Sequence, residues 1–398
     1  MGPSLQIIAA VSITLPWLLS YLFKINYSSE IDAFLSGIAI FGAAIIISWA
    51  AETAEIDVPR SFSLAIVALL AILPEYAVDG YFAYMAGKVG GDYVHYTAAN
   101  MTGANRLLIG IGWSLVIFLA ALKIKKRFVE LDEKINLEVF FLLAATIYSF
   151  KIPLTGAITI FDSLVLVFLF VAYVFIATRA EREECELMGV PKYLSCLKPR
   201  IRRSSVILMF LYAAMMIFIS VKAFAEGLIA SAKKFGIEEF IVVQWIAPLA
   251  SEAPEFIVAA YLVNRLRVSA GMNALISAKV NQWSLLIGTI AIIYSLSSLK
   301  LQALPLDARQ KEEFLLTAAQ SLFGLAVILD RKVTVFEVSL LFILFTTQLL
   351  IPSIEARYIF SFIYLTLAIP ILFKKRVKVR NALDYVLHLT KRTPYNVK

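Results

Sequence analysis

Twelve apolar runs alternate along the chain with short charged or Pro/Gly-containing breaks. They lie at about 5–23, 32–54, 61–87, 94–122, 135–150, 158–178, 205–231, 238–263, 268–296, 312–329, 333–350 and 356–373. A spanning helix needs about 20 apolar residues, whereas a barrel strand shows about ten with polar residues at alternate positions. The pattern therefore predicts an all-α, polytopic membrane protein with about 12 transmembrane helices. The first run has no basic segment ahead of it and no small-residue cleavage site behind it, so it reads as a helix rather than a signal peptide. Gln6 also breaks the myristoylation pattern that a Met-Gly start would need.

Composition supports the same class. Of 398 residues, 60% are hydrophobic and 17% charged, with a mean hydropathy of +0.81, against roughly 45–50% and about 25% in soluble domains. The net charge of +8 raises the question of nucleic acid, and its distribution answers it. Of the 37 Lys and Arg residues, 25 fall in the loops after even-numbered runs and in the C-terminal tail, 9 fall on the other side, and Arg106, Lys222 and Lys279 lie inside runs. The positive-inside rule then predicts a multi-pass protein of the cell membrane with both termini cytoplasmic. The basic excess is topology, no nucleic-acid partner is expected, and the expected partners are inorganic cations and membrane lipid; oligomeric state is left open. The basic tail from Lys374 to Arg380 reads first as a stop-transfer flank and second as a binder of anionic headgroups. Cys185 and Cys196 match no zinc spacing and read as ordinary thiols.

Two segments of the chain are copies. VALLAILPEYAVDGYF (67–82) and APLASEAPEFIVAAYL (247–262) align without a gap at an offset of 180 residues, pairing Pro74 with Pro254, Glu75 with Glu255 and Tyr81 with Tyr261. They fall in the third and eighth runs, an odd number of spans apart, so the copies cross the membrane in opposite directions. That is the inverted repeat of secondary transporters, whose sites lie near the bilayer midplane on discontinuous helices. Proline deletes a backbone donor and crowds the preceding turn, so the third and eighth helices are expected to be discontinuous at Pro74 and Pro254. An ionised carboxylate at mid-depth costs about 3 kcal/mol or more, so Glu75 and Glu255 are expected to face a cation. Carboxylates plus freed carbonyls form a hard oxygen site of the kind calcium prefers. The plainer alternative is that each proline is a kink and each glutamate pairs with a basic residue.

On these residues the chain resembles the cation/calcium antiporter superfamily, which includes the sodium/calcium exchangers. That group carries two inverted repeats with a G-T-S-x-P-E core, followed by Asn-containing segments on the next helix. Here Ala250-Ser251-Glu252-Ala253-Pro254-Glu255 keeps Ser251, the first copy keeps only Pro74-Glu75, and Asn100, Asn105 and Asn281 stand in the following helices. The resemblance implies that Glu75 and Glu255 are central calcium ligands, with Ser251, Asn100, Asn105 and Asn281 around them and no cofactor. It further implies that 32–178 and 205–350 are the inverted five-helix repeats, joined by a cytoplasmic loop at 179–204. Residues 1–31 and 351–398 would add a helix at each end, the second with the basic tail.

The remaining intramembrane charges refine this picture. Glu252 joins the ligand set three residues before Glu255, and Asp79, one turn beyond Glu75, is a further candidate. Three ionised glutamates against Lys279 leave −2, the charge that one divalent cation balances. Lys279 either occupies the place of a coupling cation or pairs with Glu252. Arg106 is expected to neutralise Asp79 or Glu75, and Lys222 to pair with Glu226 at i, i+4. The expected function is a secondary antiporter exchanging calcium, or a similar divalent cation, for sodium, with protons as the alternative coupling ion. A cation channel and an intramembrane hydrolase are the rivals of other classes. The hydrolase has no H-E-x-x-H or G-x-S-x-G to support it, so no enzyme activity is expected.

Overall fold

The computed structural model describes residues 2–57, 73–180, 187–351 and 353–391. The chain forms two compact units, Met1–Phe82 with Glu181–Pro254 and Ala83–Ala180 with Glu255–Lys398. Each unit draws one stretch from each half of the sequence. The helices are α1 (Pro3–Leu22), α2 (Ser29–Ala54), α3 (Leu73–Lys88), α4 (Asp92–Ile124), α5 (Glu133–Thr155), α6 (Ile160–Ala177), α7 (Gly189–Ser195), α8 (Pro199–Phe235), α9 (Glu239–Asn264) and α10 (Val268–Ser298), followed by α11 (Ala308–Ile328), α12 (Val335–Leu350), α13 (Ile354–Lys374) and α14 (Arg376–Lys391). Among the described residues nine of these are long and apolar enough to cross a membrane: α1, α2, α4, α5, α6, α8, α9, α10 and α13. Of the other predicted runs, the first half of the third lies outside the described residues, α11 opens with polar turns, and α12 has only 16 residues.

Unit 1 is built on the α2–α8 pair, with α1 against α2. Small residues let the backbones close: a Cβ at Gly227 would lie 2.8 Å from the Ser29 carbonyl oxygen, and one at Gly37 would lie 2.8 Å from the Phe224 ring. Ala39, Ala43 and Ile47 of α2 pack with Ala213, Met216 and Ile217 of α8. At the end of α2, Asp57 takes Arg202 Nε at 2.7 Å and Nη2 at 2.8 Å, with Arg203 Nε at 3.0 Å. This bidentate fork ties the chain after α2 to the first turn of α8.

In unit 2, local sequence sets several helix starts. Thr159 with Asp162, Asp307 with Gln310, and Thr334 with Glu337 form capping boxes that open α6, α11 and α12, each satisfying otherwise orphaned amides. α11 is buried along nearly its whole length and packs on α13, α4 and α5. Two short antiparallel ribbons add to the all-α expectation: β1 (Phe128–Glu130) pairs with β4 (Lys332–Thr334), and β2 (Ala157–Ile158) with β3 (Leu304–Pro305).

One expectation needs correction. The eighth predicted helix is not discontinuous: α9 runs unbroken from Glu239 to Asn264 with Pro248 and Pro254 inside it. Each proline deletes a single intrahelical bond, and the remaining ladder and packing hold the helix. The corresponding break before Pro74 lies outside the described residues. In the basic tail, Arg376–Lys391 forms a helix whose Ala382, Val386 and Leu389 are buried. Cys185 lies outside the described residues, while Cys196 is an exposed free thiol.

Candidate functional site

In unit 1 the polar candidates share the inner faces of two helices. Glu75 and Asp79 are one turn apart on α3 and both buried, at 6% and 0% exposure. On α9, Gln244, Ser251 and Glu252 are buried, while Ile246 and Leu249 are exposed. A spanning helix that hides its polar face and exposes its apolar one is reserving polar atoms for a function inside the bilayer. The Ser251 hydroxyl donates to the Pro248 carbonyl at 3.3 Å. The Ala250 carbonyl lacks its usual i+4 donor, because residue 254 is proline. The predicted Lys222–Glu226 pair is absent: Glu226 Oε1 instead accepts the Tyr81 hydroxyl at 2.7 Å, linking α8 to α3.

Unit 2 holds the asparagines, Lys279 and Glu255. Lys279 is fully buried, and its Nζ donates to Asn105 Oδ1 at 2.7 Å and to the Asn105 carbonyl at 3.1 Å. It also lies 4.5 Å from the centre of the Trp283 ring. Asn105 Nδ2 donates to the Met101 carbonyl at 2.8 Å, which fixes Oδ1 toward the lysine. Asn100 Oδ1, Gln282 Oε1 and Glu255 Oε2 are buried oxygens without a hydrogen-bond partner among the described residues. Buried acceptors are normally satisfied, so such oxygens fit ligands of a hard cation. Asn281 is buried as well, at 4% exposure.

A feature the sequence reading missed lies directly beside these asparagines. α4 widens into a π turn at Leu108–Trp113 and α10 does so at Gln282–Leu286. Such turns release regular backbone bonding and often accompany function. Gly112 sits within the first, where a Cβ would lie 2.8 Å from Cε1 of Phe256, the residue after Glu255. The glycine therefore sets how closely α4 approaches the chain that carries Glu255.

Two further polar groups were missed. Arg106, for which Asp79 or Glu75 was the expected partner, pairs within unit 2 with Glu313 of α11. Arg357 Nη1 reaches Glu313 at 2.7 Å and Glu312 at 2.8 Å, and Gln320 Nε2 donates to the Arg106 carbonyl at 3.1 Å. Glu312 and Glu313 stand at the start of their apolar run, where they read as boundary residues. A lone arginine inside α4 was the signal that a buried acid had to exist. Glu138 of α5 is also buried and accepts the Tyr173 hydroxyl at 3.2 Å, which in turn lies 3.1 Å from Ser277 Oγ of α10.

The sequence profile of the sodium/calcium exchanger protein family matches residues 33–179 and 205–353. The chain belongs to this family. The exchanger is therefore a multi-pass membrane transporter of the cation/calcium antiporter superfamily and not an enzyme. It is similar to a solved structure described as the H+/Ca2+ exchanger CAX, with 60% identity over 98% of each chain and a TM-score of 0.95. It shares its fold with a Ca2+/H+ antiporter, YfkE, at 15% identity over 92% of this chain and 99% of that one, TM-score 0.60. The fold also matches the sodium-calcium exchanger NCX_Mj, at 14% identity over 81% of this chain and 98% of that one, TM-score 0.55. No match was found among curated protein sequences.

Proposed function

We propose that the exchanger is a secondary antiporter that moves calcium, or a similar divalent cation, against protons. The observation that carries the choice of coupling ion is Lys279. A fixed ammonium already takes both the side-chain and the main-chain oxygen of Asn105, oxygens that a bound sodium ion would need. A protein cation in that place leaves protons, which need only carboxylates, to drive exchange. The 60% identity to an H+/Ca2+ exchanger supports the same choice, so sodium, the first expectation from the family motif, gives way to its alternative.

In this reading Glu75 and Glu255 are the principal cation ligands, on the strength of the repeated Pro-Glu pair. Glu252, Ser251, Asn100 and Asn281 supply further oxygens, and Asp79 stands one turn away as an entry group. The unpartnered oxygens of Asn100 and Glu255 are the structural support for two of these assignments. A carboxylate that binds calcium when ionised and a proton when neutral links release of one to uptake of the other. The inverted repeats are taken as 32–178 and 205–350, with both termini cytoplasmic. Calcium uptake into proteoliposomes under separately imposed proton, sodium and potassium gradients tests the proposal. A proton gradient should drive accumulation above equilibrium. Accumulation driven by sodium alone would overturn the coupling, and passive equilibration under every gradient would point to a channel.

A further inference from the structure

Far from the asparagines, in unit 2, the end of α4, the β1–β4 ribbon and the start of α12 line an open groove of about 1050 Å³. Lys125 ends α4 with a left-handed φ of 54°, and the chain turns there into the ribbon. Lys125, Lys126 and Arg127 from this turn and Lys332 from β4 all line the groove. The ribbon register sets Phe128 opposite Thr334 and Glu130 opposite Lys332. Lys332 Nζ and Lys126 Nζ lie 4.2 Å and 5.9 Å from the centre of the same Phe128 ring.

Among the described residues none of these four cations forms an ion pair, and Glu130, opposite Lys332 in the ribbon, is the one acid set across from them. The other neighbouring acids are engaged elsewhere: Asp330 with Lys375 at 2.9 Å, Glu133 with Arg331 at 3.9 Å, and Glu337 with the Thr334 hydroxyl at 2.6 Å. Apart from Thr334, the rest of the lining is apolar. Phe118, Leu122 and Phe336 form its walls, and Leu122 and Phe336 are each 76% exposed.

A ligand for this groove needs an anionic end and a long apolar body. A free anion would use the cations but leave the walls bare, and the volume is at the top of the roughly 300–1,000 Å³ that small-molecule sites occupy. The groove also lies at the end of a membrane-spanning helix on the side richer in Lys and Arg, where anionic lipid attracts each basic residue. We propose that it binds one anionic phospholipid, with the phosphate among Lys125, Lys126, Arg127 and Lys332 and the acyl chains along Phe118, Leu122 and Phe336. Such a lipid would brace the ribbon that joins the loop after α4 to the loop before α12.

Native mass spectrometry of the whole exchanger, titrated with phosphatidylglycerol, phosphatidylcholine or soluble glycerol phosphate, tests this. Phosphatidylglycerol should bind at one copy per chain, and neither of the other two should compete for it. Each of Lys125→Gln, Lys126→Gln, Arg127→Gln and Lys332→Gln should weaken that binding about five-fold, equivalent to ~1 kcal/mol per charge. Leu122→Gln with Phe336→Gln, both at exposed positions, should weaken it too, and equal melting temperatures without lipid would show that the variants fold. Unchanged phosphatidylglycerol binding in the charge variants would overturn the site. Competition by glycerol phosphate, or full binding in the wall variant, would overturn the lipid in favour of a phosphate-only site.

Discussion

Lys279 Nζ stands 2.7 Å from Asn105 Oδ1, and this bond joins α10 to α4 just before the π turn of each helix. The ammonium is fully buried, so its acceptors matter more than their number suggests. Asn105→Leu removes the side-chain acceptor of a buried charge and should cost about 3 kcal/mol. Lys279→Met removes the charge together with its need for partners and should cost less than half as much. Thermal unfolding in detergent reads both. The methionine variant also tests coupling, because calcium flux should gain a dependence on the sodium gradient once the fixed cation is gone. An unchanged response to sodium and pH would separate Lys279 from the coupling step.

Glu255 and Asn100 present buried oxygens that no described residue satisfies. If they ligate the cation, their amide and apolar replacements will act on transport and not on folding. Glu255→Gln should abolish calcium flux in proteoliposomes, with Glu75→Gln equally severe because the two are repeat equivalents. Asn100→Ala should reduce flux about ten-fold, the loss of one neutral ligand at ~1.4 kcal/mol. Full flux in Glu255→Gln would remove the site assignment.

The parts of this arrangement visible in the sequence are those written in residue type. A Pro-Glu pair repeated at a fixed offset singled out Glu75 and Glu255 as candidates, and asparagines in otherwise apolar runs singled out Asn100, Asn105 and Asn281, all of which carry buried polar atoms. What escaped depends on geometry that no single residue marks. The π turns follow Asn105 and Asn281 without any proline, and Gly112 gains meaning only when Phe256 is seen against it. Pro254 misled in the opposite direction, since one missing amide weakens α9 without breaking it. Glu312 and Glu313 were not singled out, because charges at the start of an apolar run usually face water. Arg376–Lys391 was passed over because its basic residues outweighed the apolar stripe of Ala382, Val386 and Leu389.

The Arg106–Glu313–Arg357 cluster is the largest buried charge network among the described residues of unit 2, with Glu312 and Glu313 both at 0% exposure. Arg106 and Arg357 oppose Glu312 and Glu313, and Arg309 adds a third cation to the field around the two glutamates. Removing one partner leaves a buried charge less well compensated. Glu313→Gln should therefore destabilise by about 3–5 kcal/mol, whereas Arg106→Met combined with Glu313→Met should cost much less than the sum of the two single changes. A double-mutant cycle by thermal unfolding provides the coupling energy; additive singles would show that the pair contributes nothing as a pair.

Asp57 and Arg202 give the fold of unit 1 a dependence on acid. The guanidinium bonds of Arg202, reinforced by Arg203, lower the Asp57 carboxyl from its ordinary 3.8 to about 2. A carboxyl that is more acidic when folded stabilises the folded state fully above its ordinary value, and the contribution fades as pH falls from about 4 toward 2. Asp57→Asn should therefore lower the melting temperature by a constant amount at neutral and mildly acidic pH. Below about pH 4 the wild-type curve should fall toward that of the variant, and the two should converge near pH 2. A gap that persists unchanged to pH 2 would mean that the fork holds α8 through hydrogen-bond geometry alone, independent of the charge on Asp57.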